Sequence, residues 1–173
     1  IQELLGPRVY STNGDPMDVV VANLLRERGA RIAVAESITG GLLGSRLTNV
    51  AGSSNFFDGG FLVYSDAMKE SLLGVPAAML REHSSVSEPV AIAMAEGARA
   101  RTGSTYALSI TGEAGPESSS GQPVGVCFIG FTAEGQPSEA RKIHVPGDRD
   151  RIRKYAAGAA LNLLRLRILN LGY

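Results

Sequence analysis

Apolar and polar positions along this chain switch repeatedly between strand and helix spacing, and the switching predicts the elements. Residues 31–36 form an almost unbroken apolar run, the pattern of a strand covered on both faces. Upstream, Asp15 and Pro16 make an N-cap and first-turn pair, Val19, Val20, Asn23 and Leu24 follow at helical spacing, and Gly29 stops the helix. Residues 40–49 read as a helix with Leu42, Leu43 and Leu47 apolar, and residues 52–58, rich in Gly, Ser and Asn, read as a loop. A strand over 61–64 comes next, then a short helix over 66–73 closed by Gly74, and another over 77–83 after Pro76. Ser87 is placed as the cap of a helix over 88–102, where Val90, Ala91, Met94, Ala95 and Ala98 recur at helical spacing. Strands follow at 106–110, 124–131 and 140–145. The last helix takes Asp148 as its cap and Ile152, Tyr155, Ala156, Ala159, Leu163, Leu166 and Leu169 as its buried face.

Strands separated by helices predict an α/β sheet covered on both faces. The consecutive strands near Val124 and Ala140, joined by Glu134 and Gly135, predict an antiparallel hairpin in a mixed sheet. One domain over 16–173 is expected, with residues 1–15 as a linker or the tail of a preceding module. No internal repeat is visible, and the only low-complexity tract is at 118–120.

Composition then narrows the classes. A chain of 173 residues is long enough to bury roughly 70% of its unfolded surface without disulfide or metal staples. Basic and acidic residues number 17 each, so no bulk field draws nucleic acid or an anionic membrane, and a small-molecule partner is favoured. Cys127 has no internal partner and lies in an apolar run, as a buried thiol does; a reducing compartment, the cytoplasm, is expected. No signal peptide and no membrane-spanning run is visible, and the Ile1 start marks a fragment or processed chain.

Three polar, Gly-rich loops follow the carboxyl ends of predicted strands, where open α/β sheets hold their ligands: residues 36–41, 64–69 and 111–125. In the first, Ser37 sits where the apolar strand runs into a Gly-rich helix start. A serine there is aimed out of the sheet, and nearby backbone N–H groups can stabilise negative charge beside its hydroxyl, as acyl transfer requires. Ser37 is the nucleophile candidate. His83 sits in a helical segment and His144 inside a strand, neither with an obvious acidic orienter, so both are assigned structural or surface roles and no Ser-His-Asp triad is expected.

Lys69 is the stronger base candidate, because it falls one turn into the helix after the second strand and can lean over the same sheet edge. Apolar neighbours and a helix N-terminus would lower its pKa and let it accept the serine proton. The competing assignment is a lysine on a solvated helix face. Tyr64, at the end of its strand, either relays a proton and orients Lys69 or is a rim aromatic with a wet hydroxyl. Ser65 is assigned as the N-cap of the 66–73 helix. The loop from Thr111 to Pro116 offers backbone donors and a hydroxyl to an anion or a ribose, or is simply a Gly-Pro turn. At the opening of the last helix, Arg149 or Arg153 either meets a phosphate or remains a solvated charge. Phosphate-loop, dinucleotide and Gly-x-Ser-x-Gly strings are missing, as are Cys/His groupings with metal spacing, which disfavours P-loop hydrolysis and zinc chemistry.

Several ordered motifs carry a resemblance: AESITGG at 35–41, GSSNFFDGGFLVYSDAMKESLLGV at 52–75, SVSEPVAIAMAEGARARTG at 85–103, and SITGEAGP followed by PVGVCFIG within 109–130. Together they resemble the CinA C-terminal domain family of nicotinamide-nucleotide amidases (PncC-like), over about residues 16–169. Residues 1–10 also resemble the segment that joins this domain to the N-terminal molybdopterin-binding-like domain of two-domain CinA proteins.

The resemblance implies a three-layer α/β/α sandwich with a mixed, mostly parallel sheet of about five strands, assembled as a dimer or higher homo-oligomer. It implies hydrolysis of nicotinamide mononucleotide to nicotinate mononucleotide and ammonia, in pyridine-nucleotide salvage, with no metal and no organic cofactor. Residue by residue, Ser37 matches the family serine, Lys69 the lysine and Tyr64 the tyrosine beside it. Thr39, Gly40 and Gly41 match the turn behind the serine, where amides near Gly40 and Gly41 would hold the oxyanion. Thr111, Gly112 and Gly115 match the second ligand loop, and Arg149 the arginine near phosphate.

The chain departs from the family pattern at three places. Ile38 replaces a common cysteine. Glu113 replaces a usual apolar residue, and residues 117–122 are Ser-rich where a Gly pair and a Lys are usual. Glu113 either repels a phosphate or meets the cationic pyridinium. Two other functions remain in view: a catalytically weak nucleotide-binding or regulatory module of a competence or damage response, and an amidase for a different amide.

Overall fold

A computed structural model describes residues 6–172. The expected joining segment at 1–10 therefore lies partly outside the described residues. Strand β1 (Ile32–Glu36) is buried along its whole length because it lies inside the sheet, between β2 (Phe57–Leu62) and β3 (Tyr106–Gly112), both parallel to it. Strand β4 (Val126–Ala133) runs antiparallel to β3, and β5 (Glu139–His144) antiparallel to β4, giving the order β2-β1-β3-β4-β5. Four strands thus share one direction and β4 opposes them, so the sheet is mixed and the expected hairpin is present.

Six α-helices cover the two faces: α1 (Met17–Glu27), α2 (Leu42–Thr48), α3 (Asp66–Leu73), α4 (Ala77–His83), α5 (Glu88–Thr102) and α6 (Arg149–Ile168). Alternation along β1 sorts them. Ile32 and Val34 join a core with Val21, Leu25, Leu43, Leu47 and the buried residues of α6, while Ala33 and Ala35 pack with Leu73, Val90, Met94 and Ala98. Helices α1, α2 and α6 therefore lie on one face, and α3 to α5 on the other. Small residues let α5 approach closely: a Cβ at Gly130 would sit 2.3 Å from the Ala91 carbonyl oxygen, and one at Gly97 2.2 Å from that of Leu73. The chain leaves β1 for one face and β2 for the other, so a crevice opens at their carboxyl ends.

Local signals account for most of the element boundaries. Ser65 Oγ accepts the Met68 N–H at 3.3 Å, and Gly74 closes α3 in a left-handed conformation. Asp148 accepts the Arg151 N–H at 2.8 Å at the start of α6.

Other expectations are corrected. Asp15 does not cap α1; the cap position is Pro16, and the Asp15 carboxylate accepts from Asn13 at 2.9 Å. Ser87 occupies the cap position of α5, but its hydroxyl donates to the Ser84 carbonyl at 2.9 Å. Strand β2 begins four residues before the expected 61 and ends before Tyr64, and a 3-10 turn at Ser53–Asn55 precedes it. Helix α2 starts at Leu42, behind Gly41 with φ 97°. On α6, Tyr155 and Leu169 are exposed and Ala159 is half-buried, because the buried face is broader and includes Ala157, Ala160, Leu161 and Leu164. A 3-10 turn forms at Gly6–Arg8, and Arg165 donates to the Pro7 carbonyl. Among the described residues no helix is long and apolar enough to cross a membrane.

Candidate active site

Beyond the carboxyl ends of β1, β2 and β3, a cleft of about 190 Å³ is lined by Ser37, Tyr64, Lys69, Thr111, Gly112, Glu113, Gly115 and Arg149, with Ile38, Ser85 and Ala114 among their neighbours. The three loops singled out by sequence therefore converge on one opening. Ser37 follows β1, and its N–H donates to Ile110 in the neighbouring strand at 3.0 Å, which fixes the turn to the sheet. Its hydroxyl makes no hydrogen bond to another described residue.

Behind Ser37 the turn is held from two directions. Buried Glu36 sends its carboxylate forward into the start of α2, accepting the N–H groups of Gly41 and Leu43 at 3.0 Å each and of Gly44 at 2.8 Å. Helix α2 has Gly41 at its cap position and no side-chain cap, so this carboxylate satisfies amides that would otherwise lack acceptors. From α6, Arg153 donates to the carbonyls of Ile38 at 3.0 Å and Thr39 at 2.8 Å. Arg153 is thus a clamp on the turn, not a phosphate contact at the cleft.

Three sequence assignments change here. The Gly41 N–H is committed to Glu36, and the Gly40 N–H donates to the Ser37 carbonyl at 3.2 Å, so neither is open to an oxyanion. Thr39 is fully buried, its hydroxyl has no partner among the described residues, and it does not line the cleft. The cleft residues whose N–H groups have no protein acceptor among the described residues include Ile38, Ala114 and Gly115.

Lys69 is only 2% exposed, although its helix position allowed a solvated face. Its amine lies 3.2 Å from the carboxylate of Asp66, one turn earlier on α3. The aliphatic stem is buried and the amine reaches a cleft wall, an arrangement long amphipathic side chains adopt readily. Tyr64 is 66% exposed at the rim, and its hydroxyl accepts from Arg149 at 3.1 Å. It therefore stands with the arginine and not as an orienter of Lys69. Arg149 also donates to the Gly115 carbonyl at 2.9 Å, which ties the start of α6 to the second ligand loop. Thr111 donates to the Ser85 carbonyl at 2.7 Å.

Glu113 is buried, and one of its oxygens accepts from Ser119 N–H at 3.0 Å, Ser119 Oγ at 3.1 Å and Ser120 N–H at 2.7 Å. Burial pushes its carboxyl up, but the hydrogen bonds from Ser120 and Ser119 outweigh that and hold it below the usual range. Its share of stability is accordingly present at neutral pH and lost as acid protonates it. Burial, and then the charge of Glu113, push the Cys127 thiol up to about 12, which leaves it an inert core group. His83, near only Glu82 at 3.9 Å, and His144, 3.3 Å from the Val124 carbonyl, do not line the cleft.

Sequence reasoning missed Glu36, Asp66 and the Ser119–Ser120 contacts. Only Glu36 left a signal: a helix start without a capping side chain, preceded by an acidic residue at a strand end.

Comparison with known proteins agrees with this architecture. The CinA C-terminal domain model matches residues 15–168. A CinA-like protein of Solibacter usitatus is 53% identical over 171 residues, covering 97% of this chain and 40% of its own length. A crystal structure of a competence-damaged protein (CinA) superfamily member from Klebsiella pneumoniae superposes with a TM-score of 0.86 at 33% identity, over 89% of this chain and 96% of that one. The competence/damage inducible protein CihA of Agrobacterium tumefaciens gives a TM-score of 0.85 at 29% identity, over 93% and 98%. The chain spans about 40% of the length of the curated relatives it matches. From its sequence and its fold alike, this chain belongs to the CinA C-terminal domain family.

Proposed function

We propose that this domain is an amidohydrolase that converts nicotinamide mononucleotide to nicotinate mononucleotide and ammonia, in pyridine-nucleotide salvage. One observation carries the reading: an unengaged serine hydroxyl and a buried lysine amine line the same cleft. Lys69 Nζ takes the Ser37 proton as Oγ attacks the carboxamide carbon, and the Asp66 carboxylate, 3.2 Å away, stabilises the ammonium that forms. Open N–H groups among Ile38, Ala114 and Gly115 hold the oxyanion. The Lys69 ammonium then protonates the departing amine, ammonia leaves, and the acyl group remains as a Ser37 ester. Water, activated by the same lysine, cleaves the ester and restores the hydroxyl. The scheme calls on no metal or organic cofactor.

Arg149, backed by the Tyr64 hydroxyl, binds the phosphate at the rim. Arg149→Met is expected to raise KM for the nucleotide about tenfold or more while changing kcat little, the loss of one charged phosphate contact. Steady-state ammonia release measures both constants.

The likeness to the competence/damage inducible protein CihA of Agrobacterium tumefaciens favours a second reading, a nucleotide-binding module of a competence or damage response. A coupled ammonia assay with a panel of nicotinamide mononucleotide and simpler amides separates the two. Turnover that depends on the nucleotide supports the amidase; tight nucleotide binding without ammonia supports the module. The reading also places the domain at residues 16–173 of a longer cytoplasmic protein that forms homo-oligomers.

A further inference from the structure

The cleft carries two charges that no opposite charge answers. Among the described residues Arg149 is held by neutral groups alone, the Gly115 carbonyl and the Tyr64 hydroxyl. Glu113 forms no ion pair among the described residues, and its hydrogen bonds all fall on Oε1, leaving Oε2 without a donor. Both residues line the cleft. The other ionisable groups there are Lys69, whose amine lies 3.2 Å from Asp66, and exposed Glu117, which has the same sign as Glu113. Oε2 is not fully buried, so it stays open to the cleft, where the positive charge of a ligand can answer it. A ligand that satisfies both ends carries an anion toward Arg149 and a cation toward Glu113.

We infer that Glu113 is a specificity-determining residue whose Oε2 faces a cationic heteroaromatic ring, so that the cleft selects N-substituted pyridinium amides over neutral amides of the same shape. This rests on the amidase reading and deepens it. The hydrogen bonds from Ser119 and Ser120 serve that role by fixing Oε1 and keeping the group ionised, so that Oε2 presents full negative charge at neutral pH. The Ser-rich loop is then the device that holds the counter-ion.

The test compares nicotinamide mononucleotide with its 1,4-dihydro form, which keeps ribose, phosphate and carboxamide but has no ring charge. Glu113→Gln keeps an oxygen to accept from Ser119 and Ser120 while removing the charge, and Glu113→Ala removes both. Because the two substrates differ in intrinsic reactivity, each variant is compared with wild type on the same substrate. Expected for Glu113→Gln is a tenfold or greater fall in kcat/KM for the pyridinium form, carried by KM, with the dihydro form within about twofold of wild type; tenfold is about 1.4 kcal/mol.

Calorimetric binding of both forms in a Ser37→Ala background gives the same comparison without hydrolysis. An equal loss for both forms, or no loss for either, overturns the inference and makes Glu113 a loop anchor only. If wild type releases no ammonia yet Glu113 still governs preference for the charged ring in calorimetry, the amidase reading falls and the charge selection stands. Binding of neither form overturns the inference.

Discussion

Ser37→Ala should release ammonia from nicotinamide mononucleotide at least about 10³-fold more slowly than wild type while melting at nearly the same temperature. The magnitude follows from the role. Removing a nucleophile leaves only binding and oxyanion contacts, and such residual catalysis is small compared with the intact covalent route. Stability should barely change, because the Ser37 hydroxyl makes no hydrogen bond to another described residue and the turn is held by its backbone, Glu36 and Arg153. Lys69→Met should match the loss in rate, since it keeps the buried stem and removes the base. Lys69→Arg should also fail, because a guanidinium remains protonated and cannot accept the serine proton. The two single losses should not add, as the pair acts as one unit. A coupled ammonia assay alongside thermal unfolding checks all three variants. Near-normal turnover in folded Ser37→Ala would contradict the role assigned to that residue.

Glu36→Ala should be the most destabilising of the site substitutions, by about 3–5 kcal/mol, the order expected when several partly buried amides lose a charged acceptor together. Three amides of the α2 start lose their acceptor together, and no side chain at the cap position replaces it. Glu36→Gln is not conservative here. Its oxygen can accept from some of these amides, but its NH2 would face donors with donors. Both variants should unfold at lower urea concentration, and what remains folded should lose kcat more than it raises KM, because the residue shapes the turn that carries Ser37 and does not line the cleft. Unfolding midpoints measured with ammonia-release kinetics test this. Wild-type stability in Glu36→Ala would show that water or the remaining backbone satisfies those amides unaided.

What could be read from the sequence divides along the range of the forces involved. Helices α3, α4 and α5 were legible to the residue, because Ser65, Gly74, Pro76 and Gly103 act within one turn of the boundary they set. Strand β2 was legible only in part. Its residues Asp58, Gly59 and Gly60 have the composition of a loop, and they join the strand because β1 pairs with Phe57, Gly59 and Gly60 across a bulge at Asp58. Gly60 is required there by packing across the sheet: a Cβ would lie 2.7 Å from Val34 Cγ2. Tyr155 fits the stripe expected for α6, yet the helix turns a broader face toward both α1 and α2, and the tyrosine is left outside.

The site divides in the same way. Ser37, Lys69, Thr111 and Arg149 could be placed because strand ends in an open α/β sheet converge whatever the side chains are. The commitments of individual amides could not. The Gly41 bond to Glu36 left a local trace, an acidic residue before an uncapped helix start, but that Arg153 pins Ile38 and Thr39 and that Tyr64 meets Arg149 depend on distances no local pattern encodes.

The central claim is a covalent one, and peptide mass mapping of enzyme quenched in acid during turnover of nicotinamide mononucleotide tests it most directly. The account predicts a nicotinoyl group on the peptide containing Ser37 in wild type, and none in Ser37→Ala or in Lys69→Arg, where acylation itself lacks its base. Ammonia release with the adduct on another residue, or with no adduct while Ser37→Ala turns over at the wild-type rate, would contradict it.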